Sequence, residues 1–187
     1  MSKNKGKLVI ISAPSGTGKG TVIKSLLELC PEFVFSVSAT TRRPREGEAD
    51  GVEYNFLTHE RFREMISNDE FLEYAQYVGE FYGTPADPVK EFIDSGKIVI
   101  LDIEVQGAKQ VMTKVPEAIT IFIVPPDMEE LEKRLRGRGT DSEEKLAARL
   151  ERASQELKEK CHYKYTVVND EVSRAAEEIF NIIDRKD

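Results

Sequence analysis

The residues best suited to chemistry in this chain form the run Ala13-Pro14-Ser15-Gly16-Thr17-Gly18-Lys19-Gly20-Thr21. Glycines at alternate positions let consecutive backbone N–H groups turn into one concavity. A helix that begins there adds the positive end of its dipole, so the run is suited to an anion. Lys19 supplies a point charge of the kind that pairs with β- and γ-phosphate oxygens. The competing reading is a Gly-rich turn with no ligand, and the flanking elements decide between the two.

Those elements favour phosphate. Leu8-Val9-Ile10-Ile11 is an apolar run too short for a helix, and it reads as a buried strand that ends at the loop. From Lys19 onward Val22, Ile23, Leu26 and Leu27 follow helical spacing. Strand, Gly-rich loop and helix open a phosphate-binding βα unit, and the loop resembles a Walker A sequence. It departs from that pattern twice. Ala13 replaces the first Gly, so the backbone there must accept a Cβ. Gly20 replaces the Ser or Thr that commonly holds magnesium, leaving a hydroxyl only at Thr21.

Ile98–Leu101 and Ala118–Val124 are continuous apolar runs of the type buried on both faces of a parallel sheet, and Tyr165–Val168 is a further strand candidate. Helices are expected from Asp87-Pro88, with Asp87 as cap, from Asp127, with Glu130 at capping-box spacing, and from about Asp141 to Lys160. The last of these places Leu146, Leu150, Ala153 and Leu157 on one face. The fold class predicted is α/β: a P-loop kinase core with a parallel sheet flanked by helices, a small mixed α+β insert and a mobile lid. The expected division is 1–34 with 86–125 and 142–187 as core, 35–85 as insert, and 126–141 as approach helix and lid, the Arg-rich stretch Arg134–Asp141 being the loop.

At 187 residues the chain can bury a full core. Its net charge of −7 argues against nucleic acid and anionic membranes as partners, though not against a small anion at a locally basic site. No apolar run approaches the roughly 20 residues that span a bilayer, and the one after the basic start is too short for a signal peptide. Cys30 and Cys161 lie far apart without metal-ligand spacing. A cytoplasmic protein is expected. His59 and His162 show no pattern that assigns them a role.

A second stretch, Ser36-Val37-Ser38-Ala39-Thr40-Thr41-Arg42-Arg43-Pro44-Arg45-Glu46-Gly47-Glu48 with Gly51 and Tyr54, resembles the GMP-binding signature of guanylate kinases. Further matches follow in order at Phe71–Ala75, Tyr82–Thr84, Leu101–Gly107, Arg138–Thr140 and Val168–Asp170, across nearly the whole chain. The resemblance implies ATP-dependent phosphorylation of GMP in purine nucleotide metabolism, with Mg2+ accompanying ATP. It implies that Arg42 and Arg45 grip the GMP phosphate, that Tyr54 and Tyr82 donate hydroxyl hydrogen bonds, and that Glu73, Ser38 and Thr84 read the base. It places Asp102 and Glu104 at a strand end facing the nucleotides, Arg134, Arg138 and Arg149 as catalytic arginines beside Lys19 and Arg42, and Asn169 against adenine. Thr84 stands where relatives often have Ser, and Glu104 where many have Asp.

This set suits the reaction. A GMP phosphate oxygen is already anionic, so no general base is required, and catalysis reduces to alignment and charge neutralisation. Because of Gly20, magnesium is expected to be held through water and nucleotide oxygens, with Asp102 and Thr21 as candidates. Closure of the insert and the lid over the nucleotides is expected, to exclude water as acceptor. The alternatives are a catalytically weak guanylate-kinase-like protein-binding module and a kinase for another nucleoside monophosphate. A monomer or a homodimer fits equally well.

Overall fold

A computed structural model describes residues 6–137 and 142–185. In chain order the elements begin with β1 (Lys7–Ser12), α1 (Lys19–Leu29), β2 (Phe33–Phe35), β3 (Ala39–Thr40) and β4 (Asn55–Phe56). They continue through α2 (His59–Ser67), β5 (Phe71–Tyr77), β6 (Glu80–Pro85), α3 (Ala86–Asp94), β7 (Ile98–Asp102) and α4 (Val105–Lys114). The chain then forms β8 (Ile119–Val124), α5 (Met128–Arg136), α6 (Glu143–Leu157), a short 3-10 turn, β9 (Tyr165–Val168) and α7 (Val172–Asp184). Five strands make a parallel sheet in the order β2-β7-β1-β8-β9, flanked by helices, as the apolar runs predict. Four more make a mixed sheet in the order β4-β3-β6-β5.

By contacts the chain divides into two compact units. One is built mainly from 32–101 and 106–118 and contains the four-stranded sheet with α2, α3 and α4. Its small core is aromatic: Phe62 stacks on Phe71 and Phe81, and Ala39 and Met65 are buried beside them. Thr58 caps α2 by accepting from the Arg61 N–H at 3.1 Å. The β5–β6 hairpin turns on Val78 and Gly79, at φ 50° and 86°. Two positive φ values match the twist of a two-residue hairpin, but a β-branched residue rarely takes the first.

The other unit carries β1 from Val9, β8, β9, α1, α5, α6 and α7. Val9, Ile10, Ile11, Ile121, Phe122 and Ile123 are fully buried, as strands covered on both faces must be. In β9 only Val167 is buried, so this strand is an edge and not an interior one. Helix α7 packs on α1 and β9, and its Ala175, Ala176, Ile179, Ile182 and Ile183 are buried.

Two expectations are corrected. Helix α3 begins at Ala86, and its N-cap is Pro85, whose side chain cannot accept a hydrogen bond; the Ala86 N–H donates to the Glu70 carbonyl at 2.9 Å. Asp87 therefore falls in the first turn, where its charge still suits the helix dipole. The Arg-rich stretch does not leave the helix at Arg134. Helix α5 runs through Arg136 because Leu131 and Leu135 are buried in a cluster with Leu146, Ala153 and Leu150 of α6. Asp127 caps α5 as expected, accepting from the Glu130 N–H at 2.7 Å.

Candidate active site

In the unit that carries β1, the strand ends at Ser12, whose hydroxyl donates to the Ile103 carbonyl at 2.7 Å. The chain then turns through Ala13 and Pro14 into the glycine loop. Among the described non-glycine residues only Asp69 and Val78 have positive φ, so Ala13 occupies backbone that an L-residue adopts freely. Gly16 and Gly18 do not: their φ values are 92° and 90°. A Cβ on Gly16 would come within 2.6 Å of Leu135, and one on Gly18 within 2.7 Å of the Asn169 amide. Gly20 has open space around it.

Thr17 is fully buried between the two glycines, and its N–H and hydroxyl both donate to the Pro14 carbonyl, at 3.2 and 2.7 Å. Gly18 is the N-cap of α1 and offers no side-chain cap to the helix N–H groups that follow it. No acidic residue stands in the first turn to compete for that positive end.

Charged groups converge on this loop. Lys19 is ion-paired with Asp102, and both side chains are mostly buried. Arg134 is held by Glu130 at 2.8 Å and reaches the Thr17 carbonyl at 3.2 Å. Arg149 donates to the Ser15 hydroxyl at 2.9 Å. Asn169, 2% exposed, donates to the Thr17 carbonyl at 2.7 Å. Thr21 is exposed in the first turn of α1. Glu104 is paired with Arg152 at 3.1 Å. Arg138 lies outside the described residues.

The other unit carries the second motif. Arg42 makes a two-pronged bond with Glu48, Nη1 to Oε2 and Nη2 to Oε1, each at 2.9 Å. Nη1 also donates to the Arg43 carbonyl at 2.8 Å. The guanidinium carbon lies 5.4 Å from the centre of the Tyr54 ring and 5.7 Å from that of Phe56, within cation–π range. The Glu48 hydrogen bond raises the Arg42 pKa above the usual guanidinium value. Glu48 is held below the usual carboxylate range, first by Arg42 and then by the Arg45 N–H, which donates at 2.7 Å. The Arg45 side chain is exposed. Tyr82 meets Tyr54 edge to face at 6.1 Å.

Glu73 and Thr84 face each other across β5 and β6. Glu73 is 6% exposed and Thr84 fully buried, and the Thr84 hydroxyl donates to Glu73 Oε1 at 2.7 Å. A carboxylate this buried needs such a partner. Ser38 is half-buried just before β3, where its carbonyl accepts from the Asn55 N–H at 2.8 Å.

The guanylate kinase family profile matches residues 5–186. The chain belongs to the guanylate kinase family. It is 52% identical to the guanylate kinase of Lactococcus lactis subsp. lactis (strain IL1403) over 182 residues, covering 97% of this chain and 89% of that one. It is 50% identical to the guanylate kinase of Prochlorococcus marinus subsp. pastoris over 181 residues, covering 97% and 98%. Among solved structures it matches the crystal structure of guanylate kinase from Anaplasma phagocytophilum, with a TM-score of 0.77 and 36% identity over 97% of this chain and 86% of that one.

In this guanylate kinase family member three residues that were given no role from the sequence support the predicted ones, and two of them, Glu48 and Gly107, lie inside the matched stretches. Glu48 is the partner that shapes Arg42, six residues away across a loop. Gly107 of α4 backs Glu73 so closely that a Cβ there would lie 2.9 Å from the Glu73 carboxyl carbon. Gln110, one helical turn on, donates to the Tyr74 carbonyl at 2.9 Å and accepts from its N–H at 3.3 Å. Strand β5 is an edge of its sheet, and Gln110 stands in there for a missing neighbour strand. Gly107 and Gln110 are three residues apart in α4 and so share a helix face, and the fold shows that this face meets β5.

Proposed function

We propose that this guanylate kinase family member transfers the γ-phosphoryl group of ATP to GMP, giving ADP and GDP. The observation that carries the guanine reading is Glu73, a buried carboxylate held by Thr84. Guanine presents adjacent donors at N1 and the 2-amino group, which a carboxylate accepts. Adenine presents an acceptor at N1 and no 2-amino group. A site built on such hydrogen bonds rejects the base that cannot make them.

The roles follow from chemistry. Ala13, Pro14, Ser15, Gly16, Thr17, Gly18, Lys19, Gly20 and Thr21 bind the ATP phosphates through backbone N–H groups and the Lys19 ammonium. Arg42 and Arg45 take the GMP phosphate, with Tyr54 and Tyr82 as hydroxyl donors, and Ser38 and Thr84 complete the base site with Glu73. The Arg42–Glu48 pair supports this reading, since it holds the guanidinium fork extended until a phosphate competes for it. Arg134, Arg138 and Arg149 stabilise the charge that spreads over the transferring phosphoryl group. In the transfer a GMP phosphate oxygen bonds to the γ-phosphorus as its bond to the β,γ-bridging oxygen breaks, and that oxygen leaves on ADP.

Residues 35–85 serve as the acceptor insert, 1–34 with 86–125 and 142–187 as the core, and 126–141 as approach helix and lid. Asp102, the last residue of β7, and Glu104, two residues on, take part in GMP binding in this reading.

Magnesium fits an all-oxygen donor set of this kind. Among the described residues no cluster of three or more His, Cys, Asp or Glu is arranged to cage a metal. Asp102 and Thr21 would instead hold the ion through water, with nucleotide oxygens completing its shell. There it would neutralise charge on the triphosphate. Among the described residues no helix is long and apolar enough to cross a membrane, and we place the enzyme in the cytoplasm, as monomer or homodimer.

The test is product analysis with ATP and each of GMP, AMP, CMP and UMP. GDP is expected from GMP, with the other acceptors at least 10³-fold slower in kcat/KM. Equal use of AMP, or no GDP at all, overturns the proposal, the second result favouring a binding module. A more local check is Gly107→Ala. The added methyl pushes on the Glu73 carboxylate, so KM for GMP should rise about tenfold with KM for ATP unchanged, for the cost of a displaced hydrogen-bonding group. An unchanged GMP constant would mean that Glu73 does not touch the base.

A further inference from the structure

We propose that Asn169 is a positioning residue of the phosphate loop, holding the Thr17 carbonyl so that the Gly18 N–H faces the bound phosphates. The proposal rests on the reading of Ala13–Thr21 as the triphosphate site, and it gives Asn169 a task other than contact with adenine.

The geometry is specific. A trans peptide directs its C=O and N–H to opposite sides, so whatever fixes the Thr17 carbonyl also fixes the Gly18 N–H. Asn169 Nδ2 donates to that carbonyl at 2.7 Å, and Arg134 Nη1 donates to it at 3.2 Å. With Gly18 at φ 90°, its peptide is held in a region where only glycine rests easily. The absence of a Cβ at Gly18 also leaves room for the Asn169 amide, since a Cβ would lie 2.7 Å from Nδ2. The glycine and the asparagine therefore form one fitted pair.

Asn169 is itself well anchored. It follows the last residue of β9, and its backbone N–H donates to the Val124 carbonyl at 2.8 Å, extending the β8–β9 pairing by one residue. Its side chain is buried, and its Oδ1 makes no hydrogen bond with the described residues. It donates to the loop from a rigid sheet terminus, which is the support that a preorganised anion site needs.

The two roles predict opposite ligand profiles. Calorimetric affinities of wild type, Asn169→Ala and Asn169→Asp for ADP, CDP and inorganic tripolyphosphate would separate them. Loop positioning expects Asn169→Ala to weaken all three by a common factor of about tenfold, the scale of one buried hydrogen bond. Asn169→Asp should weaken them further, because a carboxylate would face the Thr17 carbonyl and the incoming anion. A loss confined to ADP, with tripolyphosphate unaffected, overturns the proposal in favour of adenine contact, and no loss for any ligand overturns it outright. If wild type does not bind tripolyphosphate, the triphosphate reading of the loop fails and the proposal with it.

Should the variants not fold, the wild-type side-chain amide signal of Asn169 answers the same question by NMR. It should shift on addition of tripolyphosphate and stay in place on addition of adenosine. The reverse pattern overturns the proposal.

Discussion

Glu73→Gln lowers kcat/KM for GMP by about 10³-fold and leaves ADP affinity unchanged. The size follows from two hydrogen bonds to a charged acceptor, each worth about 1.5–3 kcal/mol, and the direction is set by Thr84. The Thr84 hydroxyl donates to Oε1 of Glu73. A glutamine would keep that bond by turning its own oxygen toward Thr84, which aims its NH2 group at the guanine donors. Donor would then face donor, so the neutral isostere fails more severely than its shape suggests. The pair is buried, so water cannot step in as a substitute acceptor. Steady-state kinetics with GMP varied at saturating ATP, alongside ADP titration of the same protein, decide the matter. Retained GMP turnover would remove Glu73 from base recognition, and an equal loss of ADP affinity would show a global defect instead.

The two motifs were unequally legible in the sequence. The glycine loop announces itself because what its residues specify is backbone geometry: glycines at fixed offsets, a strand before and a helix after. Each is written in residue types that few other structures require, and β1, the positive φ of Gly16 and Gly18, and α1 all follow. The parallel sheet was legible for a similar reason, since Ile98–Leu101 and Ile119–Val124 leave no polar face to solvent.

The residues proposed to bind the acceptor were legible only through resemblance. Glu73 lies in a strand whose burial pattern alternates irregularly, with a bulge between Phe71 and Glu73. Nothing local to the chain marks it as the buried carboxylate. What buries it is Thr84 across the hairpin and Gly107 from a helix more than thirty residues away. The hairpin itself was hidden because its turn is Val78-Gly79 and not one of the Asn-Gly or Asp-Gly pairs that usually mark positive φ.

Lys19→Met is expected to lower kcat by at least 10³-fold, within the range lost with a cationic group that stabilises a transferring phosphoryl. Its effect on binding is more informative, because Lys19 is ion-paired with Asp102. A phosphate must displace that carboxylate or share the ammonium with it. Without Lys19 the Asp102 charge remains, mostly shielded from solvent, beside the incoming polyanion. ADP affinity measured in the presence of a chelator should therefore fall in Lys19→Met by more than the loss of one attraction. It should recover by about tenfold in Lys19→Met/Asp102→Asn, because residues in direct contact do not contribute additively. The double variant should not recover kcat, since neutralising Asp102 supplies no positive charge to the transition state. Additive losses in ADP affinity would mean that the two side chains do not share the phosphate's field, and recovered kcat would mean that Lys19 acts only by relieving Asp102.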